Sequence, residues 1–389
     1  MKRKLFSIMI ALGLVVAITG CGGANTANTQ SEPEVTEKEE TTATQTTEET
    51  TVTTQESDTE GIATQETEPQ GPTSETPALT GPVEFTLVSV GGMYFDETIM
   101  NEAKAAGGYD YLFTDVKPYV EDADVAIGVI QTPLNSVQSY DIAKAISNAG
   151  FDVINVATTN VADNGEEDLN NTLGQPHTVG MNVCGVTSQV NPYDKIAYVD
   201  VKGVKVAFIA GAENAVSEEG RYDINTIDED LIVSQIEEAK SNGAMVIVVS
   251  LNFADNGQNS LENDKVDFFN HLGLAGANLV LCSGLDRTII AGGDMDFANG
   301  IYGKFVSYQG CFVASTTETA ALFKINVRID ETGYVDVLNY TTEGKVIYID
   351  SADHYRLVPV SADDAANGNY SDDFKAFAES FYGQYNEIN

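Results

Sequence analysis

Tryptophan is absent from this chain of 389 residues, and the scarcity of other residues narrows its function further: three His, four Cys, and 20 Lys+Arg against 59 Asp+Glu. The shortage of bases comes first. A net charge of −39 repels phosphate backbones and argues against a nucleic-acid partner. The shortage of His comes next. Zinc hydrolases and two-metal phosphoesterases draw most of their nitrogen ligands from His, and the scattered His177, His271 and His354 cannot furnish a His-rich bimetallic centre. Cysteine is too sparse for a disulfide framework: once Cys21 is set aside, Cys184, Cys282 and Cys311 remain, an odd number. Buried thiols are the default for them, although Cys282 and Cys311 each fall at or just past the end of a predicted strand, close enough to approach one another. A long apolar run is also missing. Leu5–Ile18 is too short to cross a bilayer as a helix, and no later segment is longer and equally apolar.

That short run has a different meaning. Lys2, Arg3 and Lys4 precede it and Thr19-Gly20-Cys21 follows it, the layout of a signal peptide. The ending Ile18-Thr19-Gly20-Cys21 resembles a bacterial lipobox, whose Cys becomes the lipidated N-terminus; an ordinary signal peptide with a chance Cys is the alternative. Residues 24–80 carry thirteen acids against one Lys and no aromatic residue, so they cannot bury enough apolar surface to offset their ordering entropy. The expected organisation is a lipoprotein signal peptide over 1–20, a lipid-anchored Thr/Glu-rich disordered stalk over 21–80 and a globular domain over 81–389. The expected location is the extracytoplasmic face of a bacterial cell membrane, with lipid on Cys21 anchoring the chain to the membrane without spanning it.

From Gly81 onward strands and helices alternate. Strands are predicted at Phe85–Val90, Asp124–Ile130, Phe151–Ala157, Met245–Leu251 and Ala277–Cys282, with a hairpin of Ile196–Asp200 and Lys205–Gly211 turning at Lys202-Gly203. Helices are predicted at Thr98–Ala106, weakly at Tyr111–Lys117 with a stop at Pro118, and at Tyr140–Ala149, Glu166–Leu173, Asp228–Asn242, Asn263–Leu272 and Asp372–Tyr382. Phe305–Tyr308, Ala320–Ile329, Val335–Tyr340 and Lys345–Ile349 read as strands of a β-rich end. The fold class is α/β, in layers of central sheets flanked by helices, and in such sheets the loops after the carboxyl ends of strands carry the site.

Those loops have a pattern. Gly91-Gly92 follows the first strand, and Gln131-Thr132-Pro133 the second. Ala149-Gly150-Phe151-Asp152-Val153 runs into Ala157-Thr158-Thr159-Asn160-Val161-Ala162-Asp163-Asn164-Gly165. Gly203-Val204-Lys205-Val206-Ala207-Phe208, Gly276-Ala277-Asn278-Leu279-Val280 and Ser307-Tyr308-Gln309-Gly310-Cys311-Phe312 follow in order. Over about residues 83–330 this resembles the CapA family, the capsule and poly-γ-glutamate synthesis proteins related to calcineurin-like metallophosphoesterases. The resemblance implies a metallophosphoesterase sandwich of central β-sheets. It also implies Gly-Asp where Gly91-Gly92 stands, Asn-Leu-Glu-x-Pro where Val129-Ile130-Gln131-Thr132-Pro133 stands, and Asn-His where Thr159-Asn160 stands. His-Trp-Gly is implied at Asn252-Phe253-Ala254, and Gly-His-His-Pro-His at Cys282-Ser283-Gly284-Leu285-Asp286. The scaffold residues match while the positions expected to hold metal have lost His, Asp or Glu together. No metal, cofactor or catalytic residue is therefore assigned.

If the fold is kept, the site is lined by Asn160, Asp163, Asn252, Asp255, Ser283, Asp286 and Arg287, hydrogen-bonding groups with Arg287 a fork for carboxylates. They suit a pocket that holds a glycan or polyglutamate without cutting it. The plainer reading is that Asp163 caps the helix at Glu166 and that Asp286 and Arg287 solvate a loop. Gly292–Gly300 lacks the Glu that a calcium loop needs at its twelfth position and reads as an exposed turn. Three functions stay open: a catalytically inactive lipoprotein that binds or scaffolds in capsule, poly-γ-glutamate or other envelope polymer production; a divergent hydrolase using Asp163, Asp255 and Asp286 with one hard cation; and a solute-binding lipoprotein. The implied partners are the membrane through Cys21 and an anionic capsule polymer, a glycan or envelope-assembly proteins.

Overall fold

The computed structural model describes residues 79–254, 263–284, 292–296, 302–336 and 342–388. It opens with β1 (Val83–Met93) and α1 (Glu97–Ala105), which Asp96 caps by accepting from the Ile99 N–H at 2.9 Å. The short α2 (Asp110–Phe113) and α3 (Lys117–Glu121) follow. Pro118 does not stop a helix as expected. It lies in the first turn of α3, where its missing N–H has no intrahelical partner to lose. Next come β2 (Val125–Ile130), α4 (Ser139–Asn148), β3 (Val153–Asn155), α5 (Glu166–Thr178), β4 (Asn182–Cys184) and β5 (Val186–Ser188). Helix α5 runs five residues past its predicted end and takes in Pro176 and His177, so His177 sits in a last turn and not after one. Its N-cap is Gly165 with no side-chain cap, so Asp163 does not play the capping role expected of it.

The hairpin of β6 (Ile196–Val201) and β7 (Val204–Ala212) turns where Lys202 and Gly203 take φ of 54° and 83°, the left-handed pair that a two-residue hairpin loop requires. Then come β8 (Tyr222–Ile224), α6 (Glu229–Ser241), β9 (Val246–Asn252), α7 (Asn263–Ala275), β10 (Leu279–Ser283), β11 (Gly292–Asp296) and β12 (Tyr302–Gln309). Residues 292–296, expected to be an exposed turn, instead form a strand antiparallel to β12; residues 297–300 lie outside the described residues. The chain closes with β13 (Thr319–Ile329), β14 (Val335–Asp336), β15 (Glu343–Asp350), β16 (Arg356–Val360), α8 (Ala362–Asn367), α9 (Asp372–Gln384) and β17 (Asn386–Glu387).

The first sheet has the order β16-β15-β13-β1-β2-β3-β4, with β14 on β13 and β17 on β15. Its β1-β2-β3-β4 half is parallel and its β1-β13-β15-β16 half antiparallel. The second sheet runs β11-β12-β10-β9-β7-β6, parallel across β12-β10-β9-β7. Side-chain parity explains how they stack, because successive residues of a strand face opposite sides of its sheet. Val246, Val248, Leu279 and Leu281 enter the large core shared with the first sheet, where Leu87, Ile127 and Ile154 lie. Ile247, Val249, Leu251, Val280 and Cys282 face a second core with Ile232, Ile236, Phe269 and Leu272 of α6 and α7. The result is the layered sandwich of two central sheets flanked by helices that the sequence predicts. Among the described residues no helix is long and apolar enough to cross a membrane.

Candidate functional site

The same parity that buries Val246 and Val248 between the sheets carries Ser250 and Asn252 to that inner face, and Leu279 and Leu281 carry Ser283 there. Asn252 is wholly buried and Ser283 nearly so. Asn252 Nδ2 donates to Gln131 Oε1 at 3.0 Å and to Ser283 Oγ at 2.9 Å. Its Oδ1 accepts from the Thr159 N–H at 3.2 Å and from Gln131 Nε2 at 3.4 Å. Every polar atom of the Asn252 side chain is thus in use. The network continues outward: Thr159 Oγ1 donates to Asn160 Oδ1 at 2.7 Å, and Asn160 Nδ2 donates to Asp163 Oδ2 at 2.9 Å at the solvent edge. The described candidates Ser283, Asn252, Asn160 and Asp163 therefore belong to one hydrogen-bonded chain. Asp255, Asp286 and Arg287 lie outside the described residues.

Two further buried pairs join the sheets nearby. Ser89 Oγ of β1 donates to Gln309 Oε1 of β12 at 2.8 Å, and Asn155 Nδ2 of β3 donates to Ser250 Oγ of β9 at 2.9 Å. Local sequence pattern does not single out these residues, and the resemblance marks Gln131 only as a lost ligand. The signal was present all the same, as single polar residues in strands otherwise apolar: Ser89 in Leu87–Val90, Asn155 in Val153–Val156 and Ser250 in Val246–Leu251. Gly92 completes the fit. A Cβ placed there would come within 2.8 Å of Gln131 Oε1, so the Gln131 carboxamide fills the space that a side chain at 92 would need.

These residues do not fit the two cations that the resemblance implies. Hard or borderline divalent metals are held by carboxylates and imidazoles, and the buried groups here are neutral amides, hydroxyls and backbone. Asn252 spends its hydrogen-bonding capacity on its neighbours, while Asn155 Oδ1 and Gln309 Nε2 of the adjoining pairs have no partner among the described residues. Among the described residues no group of three or more His, Cys, Asp or Glu is gathered as a metal would need. The three His lie elsewhere. His177 stacks on Tyr193 at 3.6 Å between ring centroids, His271 meets Glu229 at 3.1 Å, and His354 meets Glu102 at 2.7 Å. Cys184, Cys282 and Cys311 are buried thiols. Burial pushes the Cys282 thiol, next to Ser283, well up against a smaller opposing pull from Lys265, so it is no poised nucleophile. What the arrangement can do is hold two sheets together through neutral buried groups and offer the Asn160 amide and the Asp163 carboxylate at its rim.

The fold and site define a class: a two-sheet α/β sandwich whose strand-end site is built from neutral amides and hydroxyls. The sequence model described as "Bacterial capsule synthesis protein PGA_cap" matches residues 86–284, about half the chain, and the chain belongs to that family. It is 25% identical over 260 residues to the capsule biosynthesis protein CapA of Bacillus anthracis, covering 59% of this chain and 61% of that protein. It is 22% identical over 251 residues to the PGA biosynthesis protein CapA of Bacillus subtilis strain 168, covering 59% and 64%. The chain thus spans less than two thirds of the length of either curated relative. Among solved structures, a 5'-nucleotidase precursor from Thermus thermophilus aligns with a TM-score of 0.43 at 13% identity, over 78% of this chain and 59% of that one. A 5'-nucleotidase from Candida albicans aligns with a TM-score of 0.41 at 8% identity, over 77% and 57%.

Proposed function

We propose that this chain is a non-catalytic member of its family, anchored by lipid on Cys21 at the extracytoplasmic face of the membrane, where it acts as a binding or scaffolding module in capsule or poly-γ-glutamate production. The observation that supports loss of catalysis is the closed network around Asn252: four interlocked neutral groups occupy the strand ends where a phosphoesterase would gather cations to polarise phosphoryl oxygens and activate water. The process is taken from the relatives, both named for capsule or PGA biosynthesis. The anchor is taken from the lipobox-like Ile18–Cys21 and the acidic stalk that follows it.

The test is metal content by mass spectrometry after incubating the full chain with manganese, zinc and calcium, paired with turnover of a chromogenic phosphodiester. The expected result is no stoichiometric metal and no turnover above the buffer rate. Near-stoichiometric metal with turnover abolished by Asp163→Asn would replace the proposal with a divergent hydrolase. The anchor has its own test: Cys21→Ala should move the protein out of the membrane fraction, and unchanged fractionation would remove that part of the proposal.

A further inference from the structure

A cavity of about 540 Å³ opens beside the small antiparallel sheet of β5 and β8, with the loop between β7 and β8 as its other wall. Its volume lies within the ~300–1,000 Å³ typical of ligand sites. The wall is held in place. Ser217 Oγ donates to Asp223 Oδ1 at 3.0 Å and accepts from the Ile224 N–H at 2.8 Å, and Arg221 meets Glu218 at 3.0 Å and Glu166 at 3.5 Å.

Charge and apolar exposure at this cavity point the same way. Both nearby cations are already paired, Arg221 with Glu218 and Glu166, and Lys195 with Asp223 at 2.6 Å. Glu219 has no described cation opposite it, so the lining carries three carboxylates against Arg221, and with Glu166 and Lys195 behind it four carboxylates face two bases. Val190 and Val216, next in sequence to the lining residues Gln189 and Ser217, are 66% and 73% exposed. Of the described large apolar side chains only Val137 is more exposed. Neither Val190 nor Val216 lines the cavity itself, but each flanks it along the chain, and exposed apolar groups gain by being covered.

We propose that this cavity is the docking site for a peptide segment of a partner protein in which basic residues alternate with apolar ones. The bases answer Glu218, Glu219, Asp223 and Glu166, and the apolar side chains cover Val190 and Val216. An anionic polymer would meet like charge here, within a chain of net charge −39, and would be turned away. The proposal deepens the binding-module reading by naming the partner's chemistry. It is separable from the question of catalysis, because no cavity-lining residue belongs to the Asn252 network.

The test is fluorescence anisotropy of the full chain in mild detergent with a labelled (Lys-Val)4 peptide. (Lys-Gly)4, (Glu-Val)4, a γ-linked glutamate oligomer and maltoheptaose serve as competitors. The (Lys-Val)4 peptide should bind, (Lys-Gly)4 should compete at least about threefold more weakly than unlabelled (Lys-Val)4, and the other competitors should not displace it at equal concentration. Its affinity should fall about tenfold in E218K/E219K and at least about threefold in V190S/V216S. E237K/E238K, which makes the same charge change at exposed positions of α6 outside the cavity, should stay within about twofold. Circular dichroism checks that each variant is folded. No binding, equal losses in the cavity and control variants, equal competition by (Lys-Gly)4, or displacement by the glutamate oligomer or maltoheptaose would each overturn the proposal. Metal-dependent turnover would defeat the non-catalytic reading and leave this one standing.

Discussion

At the scale of single residues, the strand-end site is a fitted pair as much as a network. Gly92 and Gln131 share one volume, since a Cβ at 92 falls 2.8 Å from Gln131 Oε1 and 3.4 Å from its Cβ. Gly92→Ala should therefore push the carboxamide away from Asn252 and cost about 1–3 kcal/mol, the usual penalty for overpacking a dense interior. Gln131→Ala should cost a similar amount, because one Nδ2 hydrogen of the buried Asn252 loses its acceptor while Ser283 and Thr159 still hold the rest of the side chain. The double variant lets the new methyl occupy vacated space, so the two costs should fall short of additivity by about 1 kcal/mol. A urea-denaturation double-mutant cycle measures this, and strict additivity would refute the shared volume. Asp152 makes a second, independent prediction. Burial holds its carboxyl above the usual 3.8, despite the bond from the Ala126 N–H at 2.8 Å. A carboxyl raised in the folded state takes its proton more readily there than in the unfolded chain, so stability falls as pH rises from the unfolded value through the folded one. Asp152→Asn keeps an accepting oxygen for Ala126 and removes the ionisation. It should be more stable than the parent at pH 7, with the gap closing below about pH 4; a gap independent of pH would sink the argument. Site legibility also belongs at this scale. The positions of Asn252 and Ser283 could be read from strand order, but their burial and their partner Gln131 could not, because a contact between residues 121 positions apart leaves no local trace.

Elements were legible where one local rule sufficed. Continuous apolar runs marked β2, β9 and β10, which are buried on both faces, and Asp228 with Gly243 bracketed α6. The three-residue strands β4, β5 and β8 were not legible. Their pairing depends on distant partners such as Val153↔Asn182 and Thr187↔Asp223, and so few residues show no period. Pro118 was misread because proline opens a helix as readily as it ends one, and only the following turn tells which. Helix α6 gives the prediction at this scale. The Asp228 side chain accepts from the Leu231 N–H at 2.9 Å, while Ile232, Ile236 and Ala239 pack into the second core. Asp228→Ala should lower stability by about 1 kcal/mol and Asp228→Asn by only a few tenths, since asparagine caps nearly as well. Chemical denaturation of the pair checks this. Equal losses would mean that the carboxylate acts on the helix by charge, and no loss in either would mean that packing alone sets the helix start.

Over the whole molecule, polarity is arranged in an unusual order. The buried junction of the two sheets is neutral and hydrogen-bonded, while an excess of 39 negative charges sits mainly on the rest of the chain. Salt acts on that excess in two opposing ways. It screens the stabilising pairs at the surface, such as Lys202–Asp124 at 2.8 Å and Lys117–Glu121 at 3.0 Å, each worth about 0–1 kcal/mol when exposed. It also screens the repulsion among acids that have no base to meet. With 59 acids against 20 bases, most carboxylates belong to the second group, so relief of repulsion should dominate. The interior should be indifferent, because the groups around Asn252 carry no charge. The midpoint of thermal unfolding should therefore rise by a few degrees as sodium chloride goes from about 10 to about 300 mM, a span over which the screening length falls from about 30 Å to below 8 Å. Scanning calorimetry at fixed pH would read it directly. A falling midpoint would mean that the paired surface charges outweigh the unpaired ones, and would point to ion-pair networks as the main electrostatic support of this fold.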